Sequence, residues 1–182
     1  MNDKEFWQII SSSREALEKG LRDGNLARQA KMLSKILKEM NKEELKEFSR
    51  IFSEKLDECY SWELWGAAFI INRGICTDSM FSFFRNWLVS LGEDAFYLAI
   101  ENPDSLSEEV KSDTYEDVNF DEFDLVVGQV YEKKYKEYLG EDDLDSGSGF
   151  DIEALMAKEP KGEKWTVENV HALYPKLSAL YS

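Results

Sequence analysis

Apolar side chains recur every three or four positions along most of the chain, with lysines and glutamates between them. This spacing is typical of amphipathic α-helices, and no stretch of useful length shows the strict alternation of a β-strand. The pattern predicts helices over residues 2–19, 25–40, 41–59, 61–72, 77–92, 93–102, 120–140 and 166–173, followed by a last apolar segment over 176–181. The expected fold class is all-α, in one compact multi-helix domain.

Several predicted helices open with a residue whose short polar side chain can accept a hydrogen bond from a free backbone amide. Two pairs, Asn41 with Glu44 and Asn119 with Glu122, have the spacing of a capping box, in which each side chain bonds the other residue's backbone. The other predicted caps are Asn2 or Asp3, Ser61, Thr77 or Asp78, and Thr166.

Residues 60–92 are predicted to form the centre of the fold. They comprise two apolar helices joined by a tight turn that ends at Gly74, where glycine adopts a positive φ at little cost. The small residues at positions 66–68 would let another backbone approach the first of these helices closely. The second helix is apolar on two sides, which indicates a central position.

The chain divides into three parts. Residues 1–140 are expected to form the helical core domain, and residues 141–149 to form an acidic, flexible loop rich in aspartate, glycine and serine. Residues 150–182 carry apolar groups up to the end of the chain, so we expect them to pack on the core as a docked tail.

With 182 residues, of which 43% are hydrophobic, the chain can bury a core of its own. No apolar run approaches the roughly 20 residues that span a membrane, and residues 1–10 lack the features of a signal peptide. These observations predict a cytoplasmic protein. Cys59 and Cys76 are then expected to be reduced thiols, and their spacing matches no zinc site. No metal or cofactor is predicted.

Negative charge is concentrated in the second half of the chain. Residues 1–100 carry 14 Lys and Arg against 16 Asp and Glu, whereas residues 101–182 carry 8 against 21, a net charge of −13. Nucleic-acid binding requires the opposite sign, because it depends on neutralising phosphates. The distribution therefore argues against nucleic-acid and anionic-membrane partners and favours a basic protein partner. The charge distribution does not indicate an oligomeric state.

Residues 60–92 also carry a family resemblance. The motifs are W-x-L-W-G-A-A over 62–68, F-R-x-W-L over 84–88 and FW at 6–7, with Ile71, Asn72, Gly74, Asp78 and Phe81 between them and a weaker match at 174–177. Together they resemble an uncharacterised bacterial family, domain of unknown function 4240. The resemblance covers most of the chain and implies a small soluble helical domain. It implies no established activity.

Asn72, Asp78 and Arg85 are polar residues that the apolar segment must accommodate. Asp78 and Arg85 lie seven positions apart, about two helical turns, so they share a face. The favoured interpretation is structural: a cap, a helix end and an arginine that bonds carbonyls or a carboxylate. The alternative is a small ligand pocket formed by these three residues with Trp62, Trp65 and Trp87, because such pockets combine aromatic walls with a few polar groups.

The second candidate site is an acidic surface formed by Asp117, Asp121, Asp124, Asp142, Asp143 and Asp145. One interpretation is a solvated face that keeps the protein soluble. The functional interpretation is an electrostatic docking surface for a basic protein. Glu141, Asp143 and Asp145 also have the alternate spacing of a calcium loop, but Ser146 and Ile152 stand where such a loop requires Gly and Glu.

Common catalytic motifs are absent from the sequence. A nucleophilic cysteine usually needs a histidine as its base, and the one histidine, His171, lies in a different segment from Cys59 and Cys76. The favoured hypothesis is a non-enzymatic interaction protein that binds a basic partner through the acidic second half. Immunity proteins, which neutralise basic toxins, are one such class. The alternative hypothesis is a small-molecule-binding protein, or a carboxylate-based enzyme, that uses the Asn72, Asp78 and Arg85 cluster.

Overall fold

A computed structural model describes residues 1–15, 25–110, 118–139 and 159–181, and the predicted acidic loop at 141–149 lies outside these ranges. The described residues confirm the all-α fold. The helices are α1 (Asp3–Glu15), α2 (Asn25–Lys38), α3 (Lys42–Glu58), α4 (Trp62–Ile71), α5 (Asp78–Ser90), α6 (Glu93–Glu101), the 3-10 helix η1 (Pro103–Glu108), α7 (Leu125–Tyr135), α8 (Val170–Leu173) and α9 (Pro175–Tyr181). None of the helices in these ranges is both long and apolar enough to cross a membrane.

Reciprocal hydrogen bonds define the starts of α1 and α3. The backbone amide of Glu5 donates to Asn2 Oδ1 at 2.9 Å, and the amide of Asn2 donates to Glu5 Oε2 at 2.9 Å. The predicted pair Asn41 and Glu44 makes the same two bonds at 3.0 and 2.7 Å. Each pair satisfies two amides that a helix start would otherwise leave free. The caps at Asn2 and Asn41 are confirmed.

The starts of α4 and α5 also match the sequence. Ser61 Oγ and Thr77 Oγ1 each accept the backbone amide three residues ahead, at 3.2 and 3.3 Å. Thr77, rather than Asp78, is therefore the cap of α5. Between the two helices the backbone takes positive φ values at Arg73 and Gly74, 57° and 84°. Glycine adopts this conformation readily, and the predicted turn at Gly74 is confirmed.

The core is centred on α5, which contacts α1, α3, α4 and α6. Phe84 and Leu88 of α5 are fully buried, and so are Phe6 of α1, Phe48 of α3 and Phe96 of α6. Burial on several sides explains why the sequence of α5 is apolar on two faces. The central position predicted for this helix is confirmed.

Helix α7 is shorter than the sequence predicts. It begins at Leu125, and in the preceding segment the backbone amide of Phe120 donates to the carbonyl of Phe83 at 3.2 Å, which ties that segment to α5. Phe120 and Phe123 stack with ring centroids 4.5 Å apart and are both buried. At the other end, Lys136 adopts a left-handed conformation and stops the helix. The predicted span of 120–140 and the start at Asn119 are wrong.

Residues 159–181 pack on α4 and η1, as the sequence predicts for the tail. The first contact is a backbone bridge. Trp62 N–H donates to the Lys161 carbonyl at 2.8 Å, and Lys161 N–H donates to the Tyr60 carbonyl at 3.0 Å. Helix α8 is shorter than the predicted helix 166–173, because it begins only at Val170.

Gly66 provides the space for this segment. A Cβ atom on Gly66 would lie 2.8 Å from the ring of Tyr174 and 2.9 Å from that of Trp165, closer than real contacts allow. The space beside Gly66 on α4 thus holds the side chains of Tyr174 and Trp165. The sequence had instead indicated that another backbone would approach the helix there. The Tyr174 hydroxyl donates to the Glu63 carbonyl at 2.8 Å. Burial, with the negative charges of Glu63 and Asp104 nearby, raises the pKa of Tyr174 to about 12.

Asp104 of η1 caps α9. Its Oδ2 and Oδ1 atoms accept the backbone amides of Lys176 and Leu177 at 3.0 and 2.9 Å. Pro175 occupies the first position of α9 and has no N–H, so the next two amides are available to a cap from outside. A carboxylate at a helix N-terminus is also favoured by the helix dipole. This contact fastens the C-terminal segment to the core.

Candidate functional site

Asn72 closes α4 and is 1% exposed. Its Nδ2 donates to the Ala68 carbonyl at 2.9 Å, and its Oδ1 accepts from Asn119 Nδ2 at 3.2 Å. Both polar atoms of the side chain are therefore used within the domain, one in ending the helix and one in joining it to the segment before α7. This geometry supports the structural interpretation of Asn72.

Arg85 joins α5 to the end of α3. Its Nη1 donates to the Leu56 carbonyl at 3.0 Å, in the last turn of α3 where backbone carbonyls lack helical partners. The guanidinium carbon lies 4.7 Å from the centroid of the Tyr60 ring and 5.4 Å from that of Phe81. Stacking of this kind stabilises a cation against an aromatic face. Arg85 thus serves the packing of α5 on α3.

Asp78 is exposed in the first turn of α5. Its carboxylate there has a favourable interaction with the helix dipole. Because Arg85 bonds α3 and Asn72 bonds the segment before α7, the three polar residues have different neighbours. The hydrogen bonds of Asn72 and Arg85 thus go to different parts of the domain and not to each other.

The three tryptophans of the predicted pocket belong to a continuous row of rings. The row runs through Trp62, Trp65, Phe81, Phe84 and Trp87, with centroids 4.6 to 6.1 Å apart. Trp87 lies in the core, and Trp62 is half-buried at the outer end, where Lys164 Nζ lies 4.5 Å from its ring. Trp65 also donates from Nε1 to the Cys76 carbonyl at 3.1 Å. Rings that stack on one another in this way support packing rather than the walls of a ligand pocket.

An open cleft of about 350 Å³ lies at the C-terminal end of α7. Its lining residues are Gln129, Glu132, Lys133, Lys136 and Tyr138. No residue of the predicted pocket lines this cleft. Sequence reasoning missed it, because it depends on where the backbone leaves α7 at Lys136.

The sequence also missed a buried polar junction between α5 and the segment before α7. Asn86, which is 1% exposed, donates from Nδ2 to the Phe120 carbonyl at 3.1 Å. Among the described residues, Asn86 Oδ1, Asp124 Oδ1 and Arg85 Nε are buried atoms without a hydrogen-bond partner. Burial raises the pKa of the Asp124 carboxyl, although the Asn86 amide and the Arg85 charge oppose that rise.

The predicted acidic surface is only partly described. Asp117, Asp142, Asp143 and Asp145 lie outside the described residues, as does the calcium-like spacing that begins at Glu141. Asp121 is exposed, whereas Asp124 is half-buried at the polar junction. Of these two aspartates, Asp121 is therefore the better placed to meet a partner.

A further acidic surface lies on α6. Asp94, Leu98 and Glu101 are spaced four and three positions apart, so they share one face of the helix, and all three are exposed. Leu98 keeps 49% of its surface exposed although it lies between two carboxylates. We call these three residues the α6 stripe. Periodicity predicts a helix here but does not show which face remains uncovered.

Lys55 is a buried cation whose role the sequence did not indicate. Its Nζ donates to Tyr97 Oη at 2.8 Å, to Asp3 Oδ2 at 2.9 Å and to Glu58 Oε2 at 3.1 Å. Burial disfavours the charged amine, but these hydrogen bonds outweigh that effect and raise the pKa of Lys55. The residue links α1, α3 and α6.

Both cysteines are free thiols, and Cys59 is fully buried. Burial raises the pKa of each, to about 12 for Cys59 and about 12 for Cys76. A thiol acts as a nucleophile through its thiolate, so raised pKa values lower the reactivity expected of both residues near neutral pH.

The fold and these contacts define a small all-helical domain in which buried polar residues such as Lys55 and Asn72 join separate elements and residues 159–181 are docked on the core. Residues 1–133 match the model of a family described as protein of unknown function (DUF4240), and the chain belongs to that family. The matched region includes the motifs at 62–68 and 84–88, while the weaker resemblance at 174–177 lies outside it. No curated protein and no solved structure matches the chain.

Proposed function

We propose that the protein is a non-enzymatic bacterial interaction protein of the cytoplasm that binds a basic protein partner, as an immunity protein does. The acidic half of the chain provides long-range attraction, and the α6 stripe provides the contact. The observation that carries this proposal is Leu98, an exposed apolar side chain between the carboxylates of Asp94 and Glu101. An apolar centre with a charged rim is the usual organisation of a protein interface.

The charges around the stripe support the same conclusion. Between Arg85 and Lys133 the sequence contains one basic residue, Lys111. On α6 and at the end of η1 the exposed acidic residues are Glu93, Asp94, Glu101, Glu108 and Glu109. Arg14 of α1 reaches Glu109 at 3.5 Å. A surface of one sign attracts a partner of the opposite sign and increases the association rate, most strongly at low salt.

The small-molecule alternative has less support. A pocket requires its polar groups to converge on one space. Asn72 instead bonds the Ala68 carbonyl and Asn119, and Arg85 bonds the Leu56 carbonyl at the end of α3. The three tryptophans belong to a row of packed rings. The polar junction at Asn86 and Asp124 has buried atoms without partners, but the open cleft lies elsewhere, beside Lys136.

The proposal is tested by using the immobilised chain to capture partners from a lysate of the native host, at low and high salt, with identification by mass spectrometry. The test variant combines Leu98→Ser with Glu101→Lys. We expect a basic protein to be captured at low salt, to be lost at high salt, and to bind the purified variant at least about tenfold more weakly.

The matched control combines Ile75→Ser with Glu39→Lys. It removes another exposed apolar side chain and reverses another exposed carboxylate, so its net charge equals that of the test variant. We expect the control to bind the captured protein as the wild type does. Capture of proteins that are not basic, or equal loss of binding in both double variants, would refute the proposal.

A further inference from the structure

Residues 159–181 occupy a groove that the rest of the domain builds. Its walls are α4 and η1, and each wall recognises a different part of the segment. The backbone around Trp62 pairs with Lys161, the slot at Gly66 receives Tyr174, and Asp104 caps α9. We infer that this groove is a peptide-binding site, filled by the chain's own residues 159–181, that also accepts the same segment from a second copy of the chain.

The segment has the properties of a bound peptide. Helix α8 has four residues and α9 has seven, and isolated helices shorter than about 12–15 residues are marginal in water. Its order therefore depends on the groove. Val170, Tyr174 and Leu177 supply the buried contacts, with exposed fractions of 0%, 5% and 0%.

The groove also selects among sequences. Gly162 has a φ of 84°, a backbone conformation that residues with a side chain rarely adopt, and a Cβ there would also displace the carboxylate of Glu63. Tyr174 must be aromatic to fill the space beside Gly66 and must carry a hydroxyl to reach the Glu63 carbonyl. A ligand of this groove thus carries a glycine followed, twelve and thirteen positions later, by Tyr-Pro.

Covalent geometry permits either source of the segment. Residues 140–158 connect it to the core, and at 3.3–3.6 Å per residue such a connection spans at most about 68 Å. That length reaches the chain's own groove or the groove of a neighbouring copy. The chain's own segment is present at its groove at an effective concentration on the order of millimolar. The segment of a second copy therefore displaces it only when the chain's own docking is weakened or the protein is concentrated.

The test uses a fluorescent synthetic peptide of residues 159–181 and the full chain carrying Tyr174→Ala, which weakens intramolecular docking. We expect saturable binding, measured by fluorescence anisotropy, at a peptide concentration at least about tenfold lower than the wild-type chain requires. Adding Gly66→Ala should abolish it, since the new Cβ closes the slot for Tyr174. Alanine is a better helix former than glycine by about 1 kcal/mol, so α4 itself should be retained.

A peptide in which Gly162 is replaced by valine should not bind. Absence of saturable binding to a Tyr174→Ala chain that circular dichroism shows to be helical, or equal binding after Gly66→Ala, would overturn the inference. If Tyr174→Ala unfolds the chain, the same measurement is made on the wild-type protein with excess peptide. Saturable binding that Gly66→Ala removes would support the inference, and absence of saturable binding would refute it. Because the groove does not include Leu98, this result is independent of the α6 stripe.

Discussion

The carboxylate of Asp104 accepts the backbone amide of Leu177 at 2.9 Å, although the two residues are 73 positions apart. The same carboxylate accepts the amide of Lys176, so it takes the place of the local cap that α9 lacks. This single side chain connects the 3-10 helix to the end of the chain. It explains how a short C-terminal helix is retained on the core.

Replacing Asp104 with alanine should lower stability by about 0.5–2 kcal/mol, because both amides lose their cap. In a protein of this size that corresponds to a decrease in Tm of roughly 1–8 °C. Thermal denaturation followed by circular dichroism measures the change, and limited proteolysis should show earlier cleavage in the C-terminal segment. Asp121→Ala is the control, since Asp121 is exposed and should change Tm by little. A similar Tm for both variants would contradict the role of Asp104 as a cap.

Replacing Arg85 with methionine should destabilise the fold by about 1–3 kcal/mol. The variant keeps the packing volume but loses the hydrogen bond to Leu56 and the stacking on Tyr60. Urea denaturation gives the difference. Arg50→Met, at an arginine that is half-exposed and pairs with its own helix, should cost no more than about 0.5 kcal/mol. A small molecule that copurifies with the wild type and is absent from Arg85→Met would instead favour the pocket interpretation.

Replacing Asp124 with asparagine should raise Tm at pH 7. Burial raises the pKa of this carboxyl above its unfolded value, so the folded state binds its proton more tightly than the unfolded state does. The group therefore favours folding when it is protonated, and that contribution is lost as pH rises through the folded pKa. The advantage of asparagine should disappear toward pH 4 and below. Asp121→Asn is the control, and a Tm decrease for Asp124→Asn at pH 7 would contradict the prediction.

Neither cysteine should react with a thiol-specific chromogenic reagent in the native protein. With pKa values of about 12, the thiolate fraction at pH 8 is on the order of one part in ten thousand. Two equivalents of thiol should react in denaturant, which is the internal control. Single Cys59→Ala and Cys76→Ala variants assign any reaction that occurs. Rapid modification of Cys76 in the native state would show that its surroundings open readily.

Local features were predictable from sequence because their partners are close along the chain. The caps at Asn41, Ser61 and Thr77 each bond an amide three residues ahead, and a fixed spacing of this kind can be read directly. Asn119 and Glu122 have the same spacing, yet α7 begins only at Leu125. There, burial of Phe120 and Phe123 outweighed the local preference for a helix start.

The sequence by itself determined the all-helical fold, the central position of residues 60–92 and the packing of the tail on the core, since these follow from periodicity and apolar content. Only the tertiary structure decided that Arg85 bonds the end of α3, that Gly66 receives Tyr174 and that Leu98 remains exposed. The physical reason is distance along the chain. A side chain acquires its role from groups that folding brings beside it, and for Asp104 those groups lie 72 and 73 positions away.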